Sequence, residues 1–92
     1  MGAKKTGKEL MYALISIVSE YDVELVDAMD FNIVDEDSLS LILKIGFENR
    51  DRLMDLMTII MRNDLENEGK FLDQTRMLLN TSENKLSFFN LR

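Results

Sequence analysis

Three acids alternate along Asp64-Leu65-Glu66-Asn67-Glu68, and Gly69 follows directly. Oxygen donors spaced this way around a glycine turn are what a hard divalent cation takes, since such ions collect carboxylate and carbonyl oxygens rather than nitrogen or sulfur. A second acidic group, Asp30 with Asp35, Glu36 and Asp37, could face a cation or the basic surface of another protein. Asp27 stands alone: in an alternating strand it falls on the apolar side, where a carboxylate has to be paired, protonated or in use. The last candidates are apolar. Met54, Met61 and Leu65 lie on a helical stretch, and methionine suits adaptable contact surfaces because its thioether chain is flexible and polarizable.

The segment from Asp64 has the outline of an EF-hand calcium loop, with acids at loop positions 1, 3 and 5, glycine at 6 and apolar Phe71 at 8. Position 12 is Thr75, where that loop needs a bidentate glutamate, and no second loop is present. The preferred reading is a polar turn between two helices with Gly69 as a C-terminal cap; calcium at Asp64, Glu66 and Glu68 is the alternative. At the 35–37 tip a solvated turn is likewise preferred over a cation site, because a turn sends neighbouring carboxylates apart. At Asp27 a bulge that swings the side chain outward is the simplest solution, and apolar Val26 and Ala28 on the other parity support it.

Composition narrows the chemistry further. The 92 residues include no histidine and no cysteine, which removes Ser-His-Asp and Cys-His arrangements and the usual zinc sites. None of the four glycines builds a phosphate loop, so no cofactor is implied and the expectation is a protein that is not an enzyme. The net charge of −6 argues against nucleic acid, whose binding needs clustered cations. That charge is concentrated: residues 21–43 carry seven acids and no base, whereas the flanking segments nearly balance. The longest apolar run, Leu10 to Val18, is too short to cross a bilayer and is followed by no signal cleavage site, so the reading is no membrane and a cytoplasmic location.

These residues must be positioned by a small number of elements. Residues 1–5 read as a disordered basic terminus, and 6–92 as a single α+β domain. Thr6 and Glu9 match a capping box, opening a helix at about 7–20 on the stripe Leu10, Leu14, Ile17, Val18 and Tyr21. From Asp22 the apolar period changes to two, predicting a strand through Ile33 and a second strand with Leu39, Leu41, Leu43, Ile45 and Phe47 inward. A turn near Glu36 would pair Ile33 with Leu39, Phe31 with Leu41, Met29 with Leu43 and Leu25 with Phe47. Asn49 caps a second helix whose buried stripe is read as Leu53, Leu56, Met57, Ile60 and Met61. A third helix is expected over about 70–80, with a short strand at Met77 to Leu79 as the alternative, and the final residues Leu86, Phe88, Phe89 and Leu91 suit a sheet edge. No internal repeat is visible.

The expected fold is therefore an α+β two-layer sandwich of order α-β-β-α-α-β, with an antiparallel sheet of about three strands covered on one face by two or three helices. Its open edges make a homodimer plausible, through the C-terminal strand or the hairpin. The expected function is a non-enzymatic protein–protein interaction module, a small acidic adaptor, regulator or inhibitor. Asp30, Asp35, Glu36 and Asp37 would steer a basic partner, while Met54, Met61 and Leu65 supply apolar contact. The alternative is a small-ligand or divalent-cation sensing domain.

Overall fold

Thr6 and Glu9 exchange hydrogen bonds: the Glu9 amide donates to the Thr6 hydroxyl at 3.1 Å, and the Thr6 amide donates to Glu9 Oε1 at 2.9 Å. This box satisfies two backbone donors that a helix start leaves unpaired, and helix α1 runs from it over Gly7–Tyr21. The computed structural model describes residues 5–34, 41–73 and 75–91. After α1 come α2 (Val23–Ala28), β1 (Asp30–Ile33), β2 (Leu41–Gly46), α3 (Arg50–Glu66), β3 (Thr75–Asn80) and β4 (Lys85–Asn90).

The α+β sandwich stands, with a different strand count and order. Among the described residues all pairs are antiparallel in one sheet of four strands, β1-β2-β4-β3. Leu43 and Ile45 of β2 and Leu86 and Phe88 of β4 are fully buried, and they meet Leu10, Leu14 and Val18 of α1 and Leu53, Leu56 and Ile60 of α3 in one core. The neighbouring residues on those strands, Lys44, Gly46, Lys85 and Ser87, have the opposite parity and form the uncovered face.

Four sequence expectations are corrected. Residues 23–28 are helix rather than strand, because the Asp22 carboxylate accepts from the amides of Glu24 and Leu25 and starts a turn that buries Leu25. Among the described residues of 70–80 the expected third helix is absent and the alternative strand is present: Glu68 and Gly69, both at positive φ, end α3, and β3 follows with Thr75, Met77 and Leu79 inward against β4. β4 is central rather than an edge, so an edge-to-edge dimer through the C-terminal strand is not open to this fold; β1 and β3 are the edges. The hairpin register is also shifted, pairing Phe31 with Ile45 and Ile33 with Leu43. The shift is by an even number of residues, so the pleat still turns the same side chains inward.

Lys5, placed by sequence in a disordered terminus, is docked: its carbonyl accepts from Asn90 Nδ2 at 3.2 Å and its ammonium lies 5.9 Å from the Phe71 ring centre. Residues 1–4 lie outside the described residues. The order helix, strand, strand occurs twice, as α1-β1-β2 with the short α2 inserted before β1, and as α3-β3-β4, the two halves joined through the β2·β4 ladder. That ladder pairs Leu43 with Phe88 and Ile45 with Leu86, so exchanging Leu43 for Leu86 and Ile45 for Phe88 maps the pairing onto itself.

Gly7 fixes how closely α1 sits on the hairpin. A β-bulge between Leu41 and Leu43 leaves Ile42 as the extra residue, and its carbonyl accepts from the Val34 amide at 3.2 Å. A Cβ on Gly7 would overlap that carbonyl oxygen and approach Ile33 Cγ2 to 2.7 Å. Since backbone cannot yield as a flexible side chain can, Gly7→Ala is expected to destabilise by about 1–3 kcal/mol, read as a lower urea midpoint at unchanged slope. An unchanged midpoint would contradict the packing.

The capping box carries a pH signature. The bond from the Thr6 backbone holds the Glu9 carboxyl below its ordinary value of 4.5. A depressed carboxylate stabilises the fold above its unfolded pKa, and that contribution is lost as pH falls through the folded value. Glu9→Gln keeps a capping amide without the charge, so its stability deficit against wild type is expected to shrink on acidification from neutral pH into the acid range. A deficit constant across that range would contradict the assignment.

Candidate functional site

Asn49 starts α3, its Oδ1 accepting from the Arg52 amide at 3.1 Å. The helix then turns Leu53, Leu56, Ile59 and Ile60 into the core. With about 3.6 residues per turn, the direction opposite that stripe is occupied by Met54, Thr58, Met61 and Leu65, which stack along the solvent pole. Met54 is 44%, Met61 54% and Leu65 81% exposed. The core stripe read from the sequence is thereby corrected at one end: Met61 is outside, in line with Met54, and Ile59 takes an inward place. A groove of about 420 Å³ lies beside the C-terminal half of this row, lined by Met61, Arg62, Asp64, Leu65, Glu68 and Gly69.

The three acids read as a cation site do separate work. Asp64 Oδ1 accepts from the Leu72 amide at 2.8 Å and pins the turn after α3; Glu66 Oε1 accepts from the Tyr21 hydroxyl at 3.0 Å; Glu68 is exposed at φ 59° within the turn. Among the described residues no three acids are gathered in a way that could hold a metal ion. The physical reason is that the segment is a helix end and a tight turn rather than a loop wrapped around one point.

A second feature is a polar cleft of about 660 Å³ where the end of α2, the start of β1, the β2-to-α3 connection and the β3–β4 turn meet. Asp27 and Asp30, separate candidates in the sequence, both line it, together with Glu48, Glu83, Arg52 and Lys85. Asp27 is exposed on a helix, which corrects its reading as a buried acid in a strand. The cleft's cations are engaged: Arg52 bridges Asp22 at 3.3 Å and Asp55 at 3.4 Å, and Lys85 reaches Glu83 at 3.5 Å. Its four acids are all exposed to water. The sequence reading missed Glu48, Glu83, Arg52 and Lys85, whose meeting depends on the sheet order; the local signal was the Asn49 cap, which places Arg52 in the first turn of α3.

Asp35, Glu36 and Asp37 lie outside the described residues. Asp30, the remaining member of that acidic group, lies at the start of β1 beside Gly46, away from the solvent pole of α3. The acidic and apolar halves of the expected contact surface are therefore not brought together at Asp30. Comparison with protein-family models, with curated proteins and with solved structures finds no match.

The link between Tyr21 and Glu66 ties the end of α1 to the end of α3 behind the exposed row. Its hydrogen bond to Glu66 raises the Tyr21 hydroxyl above the ordinary tyrosine value of 10.0. In a Tyr12→Phe background the remaining tyrosine is expected to ionise above that value by ultraviolet titration, and Glu66→Gln to lower its midpoint. No movement on Glu66→Gln would contradict the contact.

Proposed function

We propose that this protein is a non-enzymatic protein–protein interaction module and that the solvent pole of α3 is its contact surface. The observation that carries the reading is the row Met54, Met61 and Leu65: large apolar side chains aligned on the helix side opposite the core. An isolated exposed leucine is ordinary, but an aligned row flanked by charged residues is the arrangement of a contact surface. Each such side chain gains about 1.5–3 kcal/mol when fully withdrawn from water, and packing inside this chain supplies only part of that gain at Met54 and Met61 and little of it at Leu65. The flanking Asp51, Asp55, Arg62 and Asp64 fit a polar rim around an apolar centre. We read the polar cleft as part of the scaffold joining α2, β1 and α3, because its cations already serve ion pairs within the chain.

A photo-crosslinking residue placed at position 61 or 65 in the full-length protein, expressed in its host cells, is expected to form a discrete covalent adduct with a protein. The same residue at Ser16, an exposed position on α1, is expected to form far less. Equal, diffuse labelling at all three positions would contradict the assignment of the α3 pole as the contact surface.

A further inference from the structure

From the geometry of α3 we infer that its solvent pole pairs with the same pole of a second copy of this chain, the two helices running antiparallel. This rests on the reading of that pole as a contact surface and names its occupant. The basis is self-complementarity in both the apolar row and the charges beside it. Antiparallel alignment about a two-fold axis between Met57 and Thr58 sets Met54 opposite Met61 of the second copy, and Met61 opposite its Met54. The groove beside Met61 and Leu65 then faces the second copy's Met54, and the two-fold repeats this contact. Gly69 has open space around its Cα on the groove's wall.

The charges fit the antiparallel alignment. On one flank of the row, about 60–100° round the helix from Met54, lie Asp51, Asp55 and Arg62; on the other lie Arg50 and Asp64. In the antiparallel alignment Arg62 falls at the level between Asp51 and Asp55 of the second copy, and Arg50 falls beside its Asp64. The partners keep capacity for these bonds. Asp55 uses one oxygen on Arg52, Asp64 uses one on the Leu72 amide, and Arg50 gives one guanidinium nitrogen to the Thr81 carbonyl at 3.2 Å. Leu65 lies at the level of the second copy's Arg50, whose methylene stem can cover it.

The test exploits a chain without native cysteine. Under mild oxidation Thr58→Cys, near the axis, is expected to form a disulfide dimer, whereas Met54→Cys alone and Met61→Cys alone form little. A mixture of those two single variants is expected to cross-link across the pair. Sedimentation equilibrium reads the same interface without covalent trapping. Met61→Glu is expected to weaken the dimer by about tenfold or more, with circular dichroism unchanged. Arg62→Glu is expected to weaken it, and adding Asp51→Arg and Asp55→Arg to restore it. A chain that stays monomeric at high micromolar concentration, or a dimer indifferent to Met61→Glu and to the charge exchange, overturns the second copy as occupant. The mass of the adduct at position 61 keeps the two readings apart: an adduct with a different protein upholds the contact surface while removing the self-pairing, and diffuse labelling removes both.

Discussion

The strand order places residues 85–90 between β2 and β3, and the other elements depend on that insertion. Phe88 is the largest fully buried side chain, and with Leu86 it faces Leu43 and Ile45 across the central ladder. Until β4 is in place, β2 has one paired edge, β3 has no neighbour in the sheet, and the inner faces of α1 and α3 have half a floor. The pairing brings residues 41–46 against 85–90, so its loop-closure entropy must be met before the core closes. Each helix gains its buried stripe from that closure rather than from helix propensity, as expected for helices of this length.

The same insertion explains why α3 shows two apolar faces. Leu53, Leu56, Ile59 and Ile60 fill the core, which accounts for the inward side of a 17-residue helix. Nothing in the core accounts for Met54, Met61 and Leu65, which lie on the opposite side along the whole length of that helix. The uncovered face of the sheet is mixed: Lys44, Ser87, Lys85 and Arg76 lie there with Gly46, Phe89 and Leu78, the last 57% exposed. The two apolar surfaces of α3 thus differ: one is used in folding, and the other is the surface we propose for association. The sandwich places the uncovered sheet face and the α3 pole on opposite sides.

How much of this was legible in the sequence follows from the range of each interaction. Thr6 with Glu9 and Asn49 with Arg52 could be read directly, because a cap is settled within three residues. The inward parity of Leu43 and Ile45 was legible for the same reason, since alternation survives any even slip in pairing. Residues 23–28 were misread because six residues are too few to separate a period of two from one of 3.6, and the Asp22 cap was overlooked; Val26 and Ala28 were the warning. Phe71, Leu72, Leu78 and Leu79 imitate helical spacing, yet the positive φ at Glu68 and Gly69 redirects the chain before that pattern can be used. Of the candidate residues, Met54 and Leu65 are exposed as read, Met61 was also counted in the buried stripe and is exposed instead, while the joining of Asp27 to Asp30 in one cleft needed the three-dimensional order of strands. The duplication of helix, strand and strand was invisible because it is carried by pairing rather than by residue identity.

The central claim, that β4 is an interior strand on which both halves are built, is tested most directly by native-state hydrogen exchange read amide by amide. The slowest amides are expected in β2 and β4, exchanging only through global unfolding, with those of the edge strands β1 and β3 released by smaller openings. Amides of β4 that exchange as fast as those of β1 would contradict the account.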